Sequence, residues 1–228
     1  MTADEIIAKM DSLMRGKTSY GESEMDIVTP SWSRTIRMKS WSDGTEKFFI
    51  HILQPPREKG ITFLKNQGLL YQYLPSAEMR VKITPSMMLQ SWMGSDFTND
   101  DLVRESSIVN DYTHRLAGKE TQGGRACHVI ECIPKEGAPV VWGKLMMWVD
   151  VSEMLPVREE FFSEKNEKIK VLEFTDFVQA NDRKVPSRWT MTPLNKTGHK
   201  TVYRLLSIRF NEKIDPQVFT LRNLEKPR

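Results

Sequence analysis

Trp32–Leu53, WSRTIRMKSWSDGTEKFFIHIL, is the stretch that decides the fold. Ser42-Asp43-Gly44 is a turn signal between two runs of alternating polarity, Trp32–Trp41 and Thr45–Leu53. In the first run the even positions carry Trp32, Arg34, Ile36 and Met38, and the odd positions carry Ser33, Thr35, Arg37 and Lys39. A period of two with one apolar face belongs to an antiparallel strand lying on a core. A three-residue loop pairs Met38 with Phe48, Ile36 with Ile50 and Arg34 with Ile52, so both apolar faces turn the same way. Arg34 then lies on the apolar face. There a charge must either reach water along its alkyl stem or find helix carbonyls, a carboxylate or an anionic ligand head group.

Outward from this hairpin the same pattern repeats. Asn66-Gln67-Gly68 makes a second hairpin, and a three-residue loop sets Phe63 opposite Tyr71 and Ile61 opposite Tyr73. Turn signals at Gln122–Gly124, Glu164–Asn166, Asn181–Arg183 and Asn195–Gly198 separate further strands. These fall near Tyr112–Glu120, Arg125–Ile133, Gly143–Val151, Pro156–Ser163, Lys168–Val178, Lys184–Met191 and Thr201–Phe210. Helices are expected only at the start and around residues 85–105. Thr2 and Glu5 form a capping-box pattern, Ile6, Ile7, Met10, Leu13 and Met14 fall on one stripe, and Gly16 ends the helix. No repeat or linker divides the chain, so residues 1–228 read as one mainly β (α+β) domain. About eleven antiparallel strands with so few helices must curl to bury an apolar face. The expectation is a strongly curved sheet, an incomplete β-barrel with helices covering its concave face. A closed barrel of lipocalin type satisfies the same physics.

Composition narrows the function. Hydrophobic content of 39% with 28% charged residues is that of an ordinary globular chain of 228 residues. A formal charge of +3, spread evenly, lacks the basic block or aromatic–basic interleaving of a nucleic-acid binder. No run approaches the ~20 apolar residues that span a bilayer, and no charged n-region with an apolar h-region opens the chain. Cys127 and Cys132, five apart on one strand, face opposite ways and lie roughly 16 Å from one another, so both are expected to stay reduced.

The chemistry-bearing motifs are few. His51, His114, His128 and His199 have no ligand spacing, and no metal or cofactor motif is present. No nucleophile elbow or phosphate loop occurs, and no catalytic residue is assigned; Ser95 beside Asp96 is an ordinary turn pattern.

Pro85–Leu102, PSMMLQSWMGSDFTNDDL, is the other informative stretch. Met87, Met88, Leu89, Trp92 and Met93 crowd into seven positions before Gly94, and Thr98 with Asp101 then starts a helix with Leu102 as its first core contact. The bland reading is a short core helix plus a loop. Methionine is flexible and polarizable, so the sharper reading is a movable apolar cover over a greasy cavity, hinged at Gly94. WMGSDFTNDDL resembles the signature of the outer-membrane lipoprotein-sorting family, the LolA-like carriers of Gram-negative bacteria, in its long and less-characterised branch. Thr2–Gly16, Gly68–Ile83, Leu155–Phe177 and Val185–Pro193 resemble the family's opening helix, its aromatic strand before a proline and its C-terminal strands. The best-known carriers place an arginine before the proline that follows their first strand; here Thr29 precedes Pro30.

The resemblance implies a non-enzymatic periplasmic carrier of acyl chains, on lipoproteins or phospholipids, exported by a signal peptide that this sequence does not include. It implies a monomer serving an inner-membrane transporter and an outer-membrane acceptor, with no nucleic-acid partner. The acyl cavity is expected to use Trp32, Arg34, Ile36, Met38, Phe48, Ile50, Phe63, Tyr71, Tyr73, Met87, Met88, Trp92 and Met93. The rival readings are a lipid-sensing or exporter-accessory module with the same cavity, and a lipid esterase using Ser95 or another serine.

Overall fold

A computed structural model describes residues 1–104, 108–138 and 140–227, without the side chains of residues 102–104. The expected Leu102 core contact therefore lies outside the described residues. Helix α1 (Ala3–Arg15) begins at the Thr2–Glu5 capping box, with both reciprocal hydrogen bonds formed, and stops at Gly16. Six strands follow: β1 (Thr18–Val28), β2 (Ser33–Asp43), β3 (Lys47–Gln54), β4 (Thr62–Asn66), β5 (Leu69–Leu74) and β6 (Met79–Ile83). After a long connection containing α2 (Asn99–Arg104) come β7 (Tyr112–Gln122), β8 (Arg125–Pro134), β9 (Lys144–Asp150) and β10 (Pro156–Phe162). The chain then runs through β11 (Lys168–Ala180), β12 (Arg183–Pro193), β13 (Lys200–Phe210) and α3 (Leu221–Glu225).

All thirteen strands belong to one antiparallel sheet in the order β6-β5-β4-β3-β2-β1-β13-β12-β11-β10-β9-β8-β7. It consists of two meanders joined by the pairing of β1 with β13, and it stays open, with β6 and β7 as its edges. The closed-barrel alternative is thereby excluded. The count exceeds the expected eleven by β1 and β6. On β1 the core-facing positions begin with Ser19, Gly21 and Ser23 before Met25 and Ile27, which hides the apolar alternation. On β6 only Ile83 is buried.

The two hairpins correct the expected registers in instructive ways. The turn of the first is Gly44–Glu46, so Met38 pairs with Ile52 and Ser40 with Ile50, rather than Met38 with Phe48. That slip keeps even residues opposite even residues. Ile36, Met38, Ile50 and Ile52 therefore share the main core as expected. In the second hairpin Gln67 and Gly68, with φ of 53° and 73°, form a tight two-residue turn that pairs Asn66 with Leu69. Leu64 then opposes Tyr71, and Phe63 opposes Gln72. A slip of one residue turns Tyr71 and Tyr73 to the other face from Phe63.

Both faces of the sheet carry packed clusters. The main core gathers Ile6, Ile7 and Met10 of α1 with Phe63, Leu145, Phe161, Leu172 and Met191. Beneath β3, β4 and β5, the opposite face holds Phe49 and Leu64 under Phe219 and Leu224 of the C-terminal segment, with Tyr71 and Tyr73 packed alongside. Cys127 joins Val129, Trp148 and Val157 on that opposite face, and Cys132 joins the main core, so the two thiols form no disulfide and face opposite ways.

Candidate functional site

Topology forces a cover onto the main core. Because β6 and β7 are opposite edges, the connection from Thr84 to Asp111 must traverse the sheet. Pro85–Met87 and Trp92–Gly94 are single 3₁₀ turns, not the expected α-helix. Met93 and Gly94 both have left-handed backbones, with φ of 53° and 73°, which ends helical propagation. A Cβ at Gly94 would lie 3.3 Å from the Arg34 guanidinium, so a side chain there would crowd the cation that anchors the loop. The helix start is as expected: the Thr98 N–H donates to Asp101 Oδ2 at 2.7 Å, and the Asp101 N–H donates to Thr98 Oγ1 at 3.3 Å.

This crossing is fastened to three strands. On β2, Arg34 donates to the Glu58 carboxylate and to the Met93 carbonyl, and its guanidinium lies 5.7 Å from the Trp32 ring centroid. On β11, Lys170 donates to Asp101 Oδ2 at 2.6 Å, with the Trp142 and Phe161 ring centroids 4.7 and 4.8 Å from its ammonium. On β13, Thr201 Oγ1 donates to Asp96 Oδ2 at 2.8 Å and accepts the Asp96 N–H at 2.9 Å. Within the loop, Ser95 is buried; its hydroxyl donates to the Trp92 carbonyl at 2.7 Å and accepts the Phe97 N–H at 3.2 Å. That hydroxyl is a loop staple, held by the loop's own backbone.

Between the sheet, α1 and this crossing lies a cavity of about 280 Å³. Methionines dominate its apolar wall: Met10 and Met14 of α1 with Met25, Met38, Met147 and Met191 of the strands. Phe48, Ile50, Leu172, Phe174, Trp189 and Tyr203 belong to that wall too, and Trp92 and Phe97 of the crossing loop line it as well. Trp189 packs edge-on against Phe174 at 5.4 Å and lies 5.0 Å from Tyr203. A polar border of Ser19, Ser40, Ser42, Thr45, Lys47 and Lys65 sits where β1 begins and the β2–β3 hairpin turns. There Lys65 donates to the Thr45 carbonyl at 3.0 Å, and the Ser19 and Ser42 hydroxyls bond at 2.7 Å.

The expected site residues divide into four groups. Met38, Phe48, Ile50 and Trp92 line the cavity. Ile36 and Phe63 are core residues, and Met93 packs against that core. Met87 and Met88 are half-buried on the crossing, Trp32 is 47% exposed, and Arg34 is engaged by Glu58 and Met93. Tyr71 and Tyr73 are on the opposite face and do not line this cavity. The cavity residues that sequence reading missed, among them Leu172, Phe174, Trp189 and Met191, sit at alternate positions of strands it had located, so parity alone would have found them. Among the described residues no cluster of three His, Cys, Asp or Glu side chains could hold a metal, and no helix is long and apolar enough to cross a membrane.

A protein-family model described as "-like: Uncharacterized protein" matches residues 44–226. No curated protein matches the sequence. A DUF1329 family protein from Desulfovibrio piger ATCC 29098 is 21% identical and superposes with a TM-score of 0.90, over 97% of each chain. A protein domain from Vibrio parahaemolyticus, provisionally described as outer membrane lipoprotein-sorting, is 24% identical with a TM-score of 0.87 over 98% of each chain. The LolA superfamily protein NE2245 from Nitrosomonas europaea is 21% identical with a TM-score of 0.83, covering 97% of this chain and 99% of its own.

Proposed function

Because the chain belongs to the family matched over residues 44–226 and shares the fold of the LolA superfamily, we propose that it is a non-enzymatic carrier of acyl chains. In this reading the chains belong to lipoproteins or phospholipids and travel through the periplasm towards the outer membrane. The observation that carries it is the cavity of about 280 Å³ walled by methionine and aromatic side chains. An alkyl chain gains about 0.8 kcal/mol per methylene withdrawn from water, so an adaptable apolar wall is sufficient to hold it. A strongly curved sheet, an incomplete barrel with α1 and the crossing laid into its concave side, is part of this proposal. It is supported by the single core cluster that unites residues of β2, β3 and β4 with residues of β8 to β12.

Ligand pockets typically enclose about 300–1,000 Å³. The cavity falls just below that range, so two or three acyl chains enter only if the cover shifts. The donor is an inner-membrane transporter, the acceptor lies at the outer membrane, and the carrier works as a monomer. The test is to express the exported protein in a Gram-negative host, purify it without detergent and analyse the extracted lipids by mass spectrometry. Acyl-bearing molecules at about one per protein are expected for one cavity of this size. Protein that emerges empty from the host, and stays empty when offered lipoprotein or phospholipid, contradicts the proposal.

A further inference from the structure

Two touching turns at one end of the sheet carry exposed apolar side chains and cations. Residues 29–32 join β1 to β2, and residues 194–199 join β12 to β13. Register sets them side by side, because Val28 at the end of β1 pairs with Ser33 on one side and Lys200 on the other. They also meet: a Cβ at Gly198 would come within 3.0 Å of the Pro30 ring. The first turn is held closed by the Thr29 N–H, which donates to the Trp32 carbonyl at 2.9 Å, and by the Trp32 N–H, which donates to Thr29 Oγ1 at 3.1 Å. It presents Trp32, 47% exposed, beside exposed Pro30. The second turn presents Leu194, 51% exposed, with exposed Lys196 and, at the start of β13, exposed Lys200. No Asp or Glu occurs in residues 29–33 or 194–200, and the Glu58 carboxylate that reaches Arg34 is neutralised by it. A single exposed apolar side chain is ordinary. Gathered on two braced turns with two lysines, these side chains match a lipid surface, where indole settles at headgroup depth and ammonium groups meet anionic headgroups.

We propose that this pair of turns docks the protein on an anionic lipid bilayer, with Trp32 and Leu194 entering the headgroup layer and Lys196 and Lys200 meeting lipid phosphates. The site goes beyond the carrier reading, since nothing about the cavity requires it. Its position bears on the cover. Arg34, two residues past Trp32, and Thr201, next to Lys200, are two of the side chains that fasten the crossing to the strands. A bilayer at the turns therefore meets the sheet where the crossing is held.

Co-sedimentation of the full chain with vesicles tests it, using equal parts of phosphatidylglycerol and phosphatidylcholine, or phosphatidylcholine alone. Wild type is expected to bind the anionic vesicles more tightly than the neutral ones, and less tightly as salt is raised. Lys196→Gln/Lys200→Gln should weaken binding about 25-fold, about fivefold for each lysine. Trp32→Ser/Leu194→Ser should weaken it about tenfold. Lys119→Gln/Lys213→Gln, which removes two exposed lysines elsewhere, should bind as wild type does. With brominated lipid in the vesicles, Trp32→Phe should lose part of the wild-type quenching while keeping an aromatic ring in the turn. The inference is overturned if wild type stays in solution with anionic vesicles, if either turn variant binds as wild type does, or if the control pair loses as much as the lysine pair. Quenching of Trp32→Phe equal to that of wild type overturns it too. The lipids extracted from the purified protein decide the carrier reading separately, so either can fail while the other stands.

Discussion

Lys170 and Asp101 close an ion pair at 2.6 Å with side chains only 3% and 4% exposed. The same Asp101 oxygen caps α2 through the Thr98 N–H, so one carboxylate starts the helix and pins it to β11. Removing one member of a buried pair strands the other charge. Lys170→Met should cost about 3–5 kcal/mol of stability. Adding Asp101→Asn, which keeps an acceptor for Thr98 and removes the charge, should recover much of that loss. Urea denaturation at neutral pH checks both, and a double variant as unstable as the single one would count against the pair.

Acid should loosen the β9–β10 connection. Burial raises the Asp150 carboxyl, but hydrogen bonds from Ser152, the Glu153 N–H and Arg125 outweigh it and hold it below the ordinary carboxylate range. A folded-state pKa that is depressed contributes stability above the unfolded value and loses it as pH falls through the folded one. Stability should therefore decline as pH drops below about 4. Asp150→Ala should be less stable at pH 7 by about 1–3 kcal/mol and show a shallower acid loss. Urea midpoints at neutral and acid pH decide it, and identical acid losses in the two proteins would contradict the assignment.

Both thiols should stay reduced and shielded. Cys127 and Cys132 are 0% exposed, and burial pushes the Cys127 thiol up, away from the reactive thiolate. A thiol-reactive dye should react slowly with native protein and titrate both of its 2 cysteines in denaturant. Rapid reaction of the native chain would show that the β8 faces are misassigned.

The crossing loop combines a core anchor with adaptable cover. Trp92 packs on Phe63 at a centroid distance of 5.3 Å, so Trp92→Ala should cost about 3–5 kcal/mol. Met88 is half-buried, and Met88→Glu should keep the fold while weakening binding of a fluorescent fatty acid, because the new charge would be desolvated against alkyl chain. Thermal melts and titrations separate the two effects. Wild-type binding by Met88→Glu would remove Met88 from the cover.

The sequence was most legible where error preserved parity. Misplacing the first turn kept Ile36, Met38, Ile50 and Ile52 on one face, because even partners were exchanged for even partners. Misplacing the second by a single residue sent Tyr71 and Tyr73 to the wrong face, and only the backbone demand for two left-handed residues at Gln67 and Gly68 distinguishes the registers. The pattern leaves Arg34 either reaching water or finding a partner, because the Glu58 carboxylate and Met93 carbonyl that engage it both lie beyond local pattern, 24 and 59 residues away. Phe219 and Leu224 cover the opposite face for the same kind of reason: their partners Phe49 and Leu64 are remote in sequence. Lys170 stood in view at an inward position of β11, but its partner Asp101 had already been accounted for as a helix cap.

Contact between an acyl chain and the cavity tryptophans tests the central claim most directly. Trp41, Trp92 and Trp189 line the cavity among the 6 tryptophans of the chain, and a bromine atom quenches indole fluorescence only at contact. Titration with 9,10-dibromostearate should quench part of the emission saturably, with unbrominated stearate competing. The Trp92→Phe/Trp189→Phe double variant, which keeps Trp41, should lose the share of that quenching that Trp92 and Trp189 carry while still folding. Saturable quenching that the double variant retains in full would place the chain elsewhere, and no saturable quenching of wild type would contradict the acyl-carrier account.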